Sequence, residues 1–448
     1  MVGAALVAVL RARPAPAKAG VQGAWLMYKV IQPTTADEIA ELLRSAQSKG
    51  TKVAVWGGRT WGQLLPDEET APDILLDLSR MNRIRSIEKD NLLARVEAGV
   101  VTAAVRTAVA GEGLFYPPDP TSLETSTIGG NIACAAAGPH QLKYGGTRDF
   151  VMGLEVVLPS GERIRTGANT QKSVAGYDMT RFLIGSGARF GLVTSAILRL
   201  LPKPQYREIV LCAFLSSSAG VSAALAVMKN GMTPAAMELL DGRCLEVDRD
   251  AWASLGIARR SVGVAESLLL FELDGVEASV VGQRAQIERL CAQQGGAVVV
   301  TLSDPNTGTQ ALELRRRLLI RLMAAHPIWA MAKVAVAPEQ FLAAWAPDTS
   351  PTVPCGQGSG CLCCFAHAGT GVLHLFAGTD PARGPEEDGA LTRTRTVLRR
   401  LQGVGGTLLG IYGPARHALG EAEAIPSRLA EALTTIQRSF DPKGVMLP

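Results

Sequence analysis

No apolar run in this chain approaches the roughly 18 residues that a membrane-spanning helix requires, and no block of five or six like charges occurs. The first absence leaves at most peripheral association with a membrane. The second leaves no obvious nucleic-acid partner, and the net charge of +4 over 448 residues is small. The densest basic run, Arg315-Arg316-Arg317, reads as a solvated helix face. Residues 1–27 contain no acidic residue, the first being Asp37. Their apolar start is not preceded by a positively charged stretch, so a secretory signal is poorly supported. They read as a flexible tail, a targeting segment, or an extension upstream of a start at Met27. A cytoplasmic protein is the expectation.

Cysteine is present but not arranged for bridging. Cys134, Cys212, Cys244 and Cys291 stand alone, while Cys355, Cys361, Cys363 and Cys364 crowd into PCGQGSGCLCCF. That distribution suits a reducing compartment better than a disulfide framework. Cys361 and Cys364 form a C-x-x-C, but no second pair follows at zinc spacing. CLCCFAH therefore reads as a strand of small apolar residues rather than a metal cluster. No internal repeat and no low-complexity segment is visible.

The length exceeds one core, so at least two domains are expected. An apolar fraction of 47% with 19% charge describes a globular chain. Thr35 and Glu38 form a capping box ahead of a helical stripe of Ile39, Leu42, Leu43 and Ala46 that Gly50 ends. TKVAVWGG and DILLDLS read as strands, TAAVRTAVAGEG as a helix, and VMGLEVVLPSGERIRTG as a hairpin around Pro159-Ser160-Gly161. FGLVTSAILRLLPKP is a further strand, with a boundary at Pro202 and Pro204. Beyond it, YREIVLCAFL, AAMELLD, SLLLFELDG and GGAVVVTLS alternate with helices, which suggests a second α+β layer.

Three glycine-rich segments need explaining. VAVWGGRTWGQ places Gly57, Gly58 and Gly62 just after a strand, where backbone N–H groups can converge on an anion. The spacing is not G-x-G-x-x-G, so the usual dinucleotide fingerprint is absent. The second segment packs Thr125, Ser126, Thr127, Gly129, Gly130 and Asn131 close together, then runs into small residues. Such a surface lets a large flat ligand lie closely. The third, GSGARFG, is followed by a β-rich run and not by a helix.

GGRTWG, PPDPTSLETSTIGGNIA, KYGGTRDFVMGLEVVLPSGE, KSVAGYD and LRLLPKP resemble, in order and spacing, the FAD-linked oxidases of the vanillyl-alcohol-oxidase/PCMH fold. The likeness is to the glycolate oxidase and D-lactate dehydrogenase branch, and it ends in DPKGV. It implies an α+β chain: a flexible segment over 1–27, a two-subdomain PCMH-type FAD-binding domain over 28–204, a ferredoxin-like cap or substrate domain over 205–425, and a C-terminal helix and tail over 426–448. It implies that Gly57, Gly58, Arg59, Thr60 and Gly62 hold the FAD pyrophosphate. Pro118, Asp119 and Thr125 lie in the second motif, whose Ser126, Thr127, Gly129, Gly130 and Asn131 would run along the flavin. Gly187 and Gly191 would approach the cofactor, although GSGARFG departs from the family's GSEGTLG at Gly187, Ala188 and Arg189. Residues 53–66 contain neither histidine nor cysteine, so the FAD is expected to be non-covalent.

Oxidising a 2-hydroxy acid requires a cation for the carboxylate and a base for the hydroxyl. Metal-dependent members carry a motif resembling HxGDGNLH, and His367 and His374 in AHAGTGVLH match its two metal ligands in spacing. Thr370 and Val372 replace its aspartate and asparagine. GGTLLGIYG, residues 405–413, resembles the family's GGxxxGEHG, with Ile411 at the acidic ligand position and Tyr412 at the base position. His367 and His374 are thus read as vestigial metal ligands, and low divalent-metal occupancy is expected. His417, Glu421 or Asp380 are the candidates for a replacement ligand. Lys333 is the candidate cation for the carboxylate, with Arg315 to Arg321 nearby in sequence as further candidates, and Tyr412 stands at the catalytic base position.

An intact flavin cradle beside an eroded ligand set most resembles the second FAD-binding subunit of the multi-subunit glycolate oxidase. That implies a partner catalytic flavoprotein subunit and an iron–sulfur subunit, with glycolate or D-lactate as substrate. A stand-alone FAD-dependent D-2-hydroxy-acid dehydrogenase and a non-catalytic flavin-binding structural subunit are the alternatives.

Overall fold

Thr35 caps the first helix as its spacing predicts, while Glu38 turns back to Thr34 and not to the Thr35 amide. In a computed structural model of the chain, Thr35 Oγ1 accepts from the Glu38 amide at 3.2 Å, and Glu38 in turn accepts from the Thr34 amide at 2.8 Å. The helix runs Ala36–Lys49 and ends at Gly50 in the left-handed region, φ 73°. Its stripe of Ile39, Leu43 and Ala46 is buried. The structure describes residues 9–14, 25–58, 60, 72–170, 172, 176–256, 265–326, 328–345, 361–379, 389–413, 419 and 427–447.

Two compact units are present. The first comprises Met1–Ala137, Gly145–Lys203 and Ile425–Pro448, and the second Gly138–Tyr144 and Pro204–Ala424. The first unit contains two main sheets, one per subdomain. One consists of β1 (Val9–Pro14), β2 (Trp25–Ile31), β3 (Val53–Trp56) and β4 (Ile74–Asp77) in the order β1-β2-β4-β3. The other consists of β5 (Ile84–Glu88), β6 (Leu93–Glu97), β8 (Val151–Val157), β9 (Arg163–Gly167) and β10 (Leu192–Arg199) in the antiparallel order β5-β6-β10-β8-β9. The short strands β7 (Leu114–Phe115) and β11 (Leu201–Pro202) pair separately. The expected hairpin is β8–β9, turned at Gly161 with φ 79°. Burial alternates along β10, so Leu192, Thr194, Ala196 and Leu198 face inward.

Residues 9–14 and 441–447 are both built into this unit. Residues 9–14, expected within a flexible segment, form β1 and pair antiparallel with β2 from Val9↔Val30 to Pro14↔Trp25. The correction has a physical cause, since β2 would otherwise present an unpaired edge. At the other end Val53 donates to the Val445 carbonyl at 2.8 Å, and Leu447 donates to the Val53 carbonyl at 2.9 Å. Asp441 accepts from the amides of Val445 and Met446 and from Gln47 Nε2. The DPKGV ending therefore lies along β3, the strand that leads into Gly57.

The second unit holds one eight-stranded antiparallel sheet. Its strands are β12 (Tyr206–Phe214), β13 (Ala236–Asp241), β14 (Ser267–Gly275), β15 (Ala297–Leu302), β16 (Trp329–Ala335), β17 (Cys361–His367), β18 (Val372–Gly378) and β19 (Thr407–Tyr412), in the order β15-β12-β14-β13-β17-β18-β16-β19. β12, helix Ser217–Lys229, β13, β14, helix Glu277–Gln293 and β15 make one ferredoxin-like unit. β16, helix Pro338–Trp345, β17, β18, helix Gly389–Gly403 and β19 make another with the same strand order. The sequence shows no internal repeat, yet the fold is duplicated: the copies share a pattern of elements and not of residues. They meet at the antiparallel pair β13–β17.

Each face of this sheet has its own apolar layer. One face carries Met237, Leu239, Ala332, Val334, Leu373 and Leu375 beneath the four crossover helices. The other carries Leu240, Met331, Phe365 and Phe376 beneath helix Pro305–Ala325, through Ala311, Leu312, Leu318 and Leu322. Arg315 on that helix is only 3% exposed, which corrects the solvated reading of the arginine run at its first member. Cys361 is disulfide-bonded, with its partner outside the described residues. The reduced-cysteine expectation is corrected there, whereas Cys134, Cys212, Cys244, Cys291, Cys363 and Cys364 are free.

Candidate functional site

The three glycine-rich segments converge in the first unit. A Cβ on Gly58 would lie 2.0 Å from the Thr125 carbonyl oxygen and 2.8 Å from Ser126 Cα. A Cβ on Gly57 would lie 2.5 Å from Thr127 Oγ1. The loop after β3 thus rests directly on the Thr125–Gly130 segment, at a distance only glycine permits. Thr127 caps helix Ile128–Ala133 by accepting from the Gly130 amide at 3.2 Å. At the far end of this helix the Gly185 and Gly187 amides donate to the Ile132 and Ala133 carbonyls, both at 2.9 Å. Gly187 and Gly191 have φ of 64° and 155°, and Ala188 also sits in the left-handed region at 64°.

Side chains and backbone divide the work in this cradle. The Asn131 amide donates to Thr102 Oγ1 at 2.7 Å, and that hydroxyl also bonds the Ser126 carbonyl at 2.9 Å and approaches Ser126 Oγ at 3.1 Å. The Ser126 and Asn131 side chains are therefore committed to a buried network. Asp119, 2% exposed, pairs with Arg106 at 2.9 Å, and Pro118 stands beside it in a buried loop. Gly57, Gly58, Gly129, Gly130 and Ala133–Ala137 stay half-exposed, a strip of backbone and methyl groups. Thr60 is exposed; Arg59 and Gly62 lie outside the described residues.

A second polar group occupies one face of the second unit's sheet. Glu238 on β13 is paired with His367 on β17, and Lys333 on β16 is paired with both His374 on β18 and Gly410 on β19. His367 Nδ1 lies 2.7 Å from Glu238 Oε1, and Arg315 Nη2 lies 2.6 Å from Glu238 Oε2. The Arg315 guanidinium also sits 4.8 Å over the Phe365 ring, on whose plane His374 stacks at 4.7 Å. The two imidazoles are perpendicular, with centroids 5.3 Å apart.

The charge states follow from these surroundings. Burial pushes the Glu238 carboxyl up, but His367 and Arg315 outweigh it and hold it below the usual range. Burial first, then the positive charges of His367, Lys333 and Arg315, keep His374 well below 6.5. Both nitrogens of this buried ring lack a hydrogen-bond partner among the described residues. Burial also lowers Lys333, for which no ion pair occurs among the described residues.

Beside this row, Glu272 on β14 binds His140 Nε2 at 2.8 Å, and Asp274 binds the Tyr144 hydroxyl at 2.7 Å and Lys143. These contacts hold Gly138–Tyr144 on the second unit's sheet.

Residues 28–167 match the FAD binding domain, and residues 203–448 match the C-terminal domain of FAD linked oxidases. The chain belongs to the FAD-linked oxidase family. This FAD-linked oxidase is 33% identical over 427 residues to the glycolate oxidase subunit GlcD of Bacillus subtilis, across 94% of this chain and 87% of that protein. It is 27% identical to the mitochondrial D-lactate dehydrogenase [cytochrome] of Arabidopsis thaliana, across 94% and 72%. Among solved structures, alkyldihydroxyacetonephosphate synthase superposes with a TM-score of 0.72 at 17% identity, covering 94% of this chain and 76% of that one. p-Cresol methylhydroxylase does so with 0.68 at 16%, covering 93% and 87%. At these identities the likeness to the two is one of fold alone.

The residues present fit FAD. The half-exposed glycine strip has the close backbone approach that a pyrophosphate and a flat ring need. The buried hydroxyls of Tyr116 and Thr147 have no hydrogen-bond partner among the described residues, and the Thr147 amide donates to the Ala136 carbonyl just after the helix Ile128–Ala133. Burial pushes the Cys134 thiol up to about 12, so it is no nucleophile toward the flavin.

The residues present do not fit a divalent metal. Ile411 packs into the layer on the opposite face from His367 and His374, so neither its chemistry nor its direction supplies a third ligand. Glu238 is already engaged by Arg315 and His367. Among the described residues no group of three or more His, Cys, Asp or Glu could hold a metal ion. The proposed replacements His417, Glu421 and Asp380 lie outside those residues. Tyr412 lies on β19 and packs with the same apolar layer as Phe365 and Phe376.

Sequence reasoning missed Glu238, and with it the pairing of Arg315 to that carboxylate. A usable signal existed for Glu238, an acidic residue in the middle of the apolar strand AAMELLD. Among the described residues, no helix is long and apolar enough to cross a membrane.

Proposed function

We propose that this FAD-linked oxidase takes a small 2-hydroxy acid, glycolate or D-lactate, as the FAD-binding subunit of a glycolate-oxidase-like complex. The observation that carries this is the likeness to GlcD over 94% of the chain. Lys333, which makes no ion pair among the described residues, stands beside an imidazole whose two nitrogens have no hydrogen-bond partner among them, and a carboxylate ligand would complete both. Gly57, Gly58, Arg59, Thr60 and Gly62 hold the pyrophosphate, and the backbone of Ser126–Asn131 lies along the flavin. Bound FAD supplies the oxidant for the carbon–hydrogen bond. Lys333 orients the acid through its carboxylate, and the layer under helix Pro305–Ala325 keeps water from the cationic row. Tyr412 lines this face as a hydroxyl, because a phenol of pKa about 10 is a poor base at neutral pH. Electrons pass on to a second flavoprotein subunit and an iron–sulfur subunit.

Anaerobic mixing with glycolate or D-lactate tests this. The subunit reading expects the isolated holoprotein to bleach slowly and the assembled complex to lose turnover when Gly58 is replaced. Rapid bleaching of the isolated chain would favour a stand-alone dehydrogenase. A complex that is indifferent to the Gly58 change would leave a structural role.

A further inference from the structure

One face of the antiparallel sheet in the first unit carries more positive charge than its own pairing uses. Register places Glu97, Ser195, Glu155 and Arg165 in one row across β6, β10, β8 and β9, and Arg95, Ile197, Gly153 and Gly167 in the next. Residues directly opposite in such rows share a face of the sheet. At one end of this face Val157 and Leu192 pack into the core with helix Ala36–Lys49, and the two rows lie beyond that end. All of these residues belong to the first unit.

Here carboxylates lie beneath guanidinium groups. The side chains of Glu97 and Glu155 are 1% and 10% exposed, against 72% for Arg83 and 84% for Arg165. Glu97 Oε1 accepts from Arg83 Nη2 at 2.9 Å and from Arg85 Nη2 at 3.4 Å. Glu155 Oε1 accepts from Arg165 Nη2 at 3.1 Å and from Arg163 Nη2 at 3.4 Å, and its Oε2 accepts from Arg85 Nη1 at 3.4 Å. Four arginines therefore meet two buried carboxylates, with Asp37 at the rim binding Arg163 as well. The neighbouring pairs Arg95–Glu88 and Lys89–Glu112 are matched one to one, and matched pairs are all that solubility requires. The bias extends to the whole unit, which has 25 Lys and Arg against 20 Asp and Glu, whereas the second unit has 20 against 21.

The excess is held in a fixed geometry. A guanidinium has five N–H donors in a planar fork, and two nitrogens of each of these four bind carboxylates. The remaining donors are available to a ligand on a side chain that has already lost its freedom, which lowers the cost of docking. Such a fork matches a further carboxylate in bidentate fashion. A nucleic acid, with one charge per about 1.7 Å, carries far more charge than this face can match. A lipid surface calls for protruding apolar side chains, and the two rows offer only the half-buried Ile197.

We infer that this face docks an acidic surface of a partner protein, with Arg83, Arg85 and Arg165 binding its Asp and Glu side chains. The inference rests on the reading above that the chain works within an assembly, and it assigns the surface and the chemistry of one contact in it. Glu97 and Glu155 act from below by holding the guanidiniums in place. The docked surface also adjoins the cofactor cradle. Glu97 is followed by Ala98, whose carbonyl accepts from the Gly129 amide at 2.7 Å.

The test uses the full-length holoprotein in the assembly isolated from cells that make it, with native mass spectrometry to count the partner. Arg83→Gln/Arg165→Gln removes two charges, while its amides can still donate to Glu97 and Glu155. This double variant is expected to weaken retention of the partner about 100-fold. In about 1 M salt, where the Debye length is about 3 Å, the wild type should release the partner too. Flavin absorbance and far-UV circular dichroism verify folding. If the double variant does not fold, Arg165→Gln alone is expected to weaken retention about tenfold. A photoreactive phenylalanine analogue in place of Ile197 should crosslink to a partner peptide rich in Asp and Glu. Phosphatidylserine-rich vesicles form the control arm, and the wild type should not sediment with them. A partner retained equally by the variants, a crosslink to a segment without acidic residues, or vesicle binding that the double variant loses would each overturn the inference. A wild type isolated with no stoichiometric partner would instead sink the functional reading beneath it.

Discussion

His367 and Glu238 face each other across β13 and β17, the strand pair that joins the two ferredoxin-like halves, with Nδ1 and Oε1 2.7 Å apart. The seam of the duplication is therefore where buried polar chemistry gathers. Arg315, from the helix linking the two halves, reaches the same carboxylate. Each half alone would leave a buried ionisable group without its partner.

That dependence predicts a large effect at Arg315. Arg315→Leu keeps the apolar cover over Phe365 but removes one of the two positive partners of Glu238. Leaving a buried carboxylate undercompensated costs about 3–5 kcal/mol. Urea unfolding of the Arg315→Leu/Glu238→Leu pair should show most of that cost recovered. A double variant as unstable as the single one would mean that the pair itself contributes little.

The flavin cradle predicts a graded pair at Gly57 and Gly58. A methyl on Gly58 meets fixed backbone at 2.0 Å, whereas one on Gly57 meets the Thr127 hydroxyl at 2.5 Å, which can rotate. Overpacking of this kind costs about 1–3 kcal/mol. Gly58→Ala should purify with little FAD and Gly57→Ala with a reduced but measurable amount, read from the ratio of flavin to protein absorbance. Denaturing the wild type should release the flavin. Yellow colour retained on the denatured chain would count against a non-covalent cofactor.

Ala188 predicts a stabilising change. Its φ of 64° costs a non-glycine residue about 1–2 kcal/mol, partly offset in glycine by about 0.5–1 kcal/mol of lost unfolded-state freedom. Ala188→Gly should raise stability by about 0.5–1 kcal/mol, seen as a higher urea midpoint at unchanged slope. Gly187→Ala, at the same φ with nothing within 4 Å of the added methyl, should lower it through backbone strain alone.

Local signals in the sequence carried much of this architecture. The cap at Thr35, the Pro159–Gly161 hairpin and the strands from β12 to β15 followed from spacing and turn chemistry. The cradle was legible because glycine marks close approach even before the approaching partner is known. What escaped was non-local. The duplication leaves no residue repeat, since βαββαβ packing asks only for apolar alternation. The partnership of Glu238, His367 and Arg315 joins segments separated by whole elements, and each taken singly has a bland meaning. Gly138–Tyr144 reads as part of the first domain by position, yet His140 and Tyr144 bind Glu272 and Asp274 of the second unit. Only the fold reveals that.

Lys333 predicts a split between binding and turnover. It has no carboxylate partner among the described residues, and burial lowers it, so a monocarboxylate ligand should restore its charge. Lys333→Met should raise KM for the 2-hydroxy acid about 10- to 100-fold, with kcat lowered far less. An equal loss in both would place Lys333 in the chemical step.

Glu97 predicts an acid limit for the first unit. Its carboxylate, 1% exposed, accepts from the Arg83 amide at 2.9 Å and from Arg83 Nε and Nη2 at 3.1 and 2.9 Å. Burial pushes the group up, but Arg83 and then Arg85 hold it below the usual carboxylate range. A depressed folded pKa contributes stability above the unfolded carboxylate value of about 4.3, and that stability is lost as pH falls through the folded value. Arg83 is largely exposed and the pair is screened, so Glu97→Gln should cost only about 1–2 kcal/mol at pH 7. Thermal unfolding followed from pH 7 to pH 3 should show the wild type losing stability faster than the variant below about pH 5, until the two curves meet. Parallel curves over that range would remove Glu97 as the source of the acid dependence.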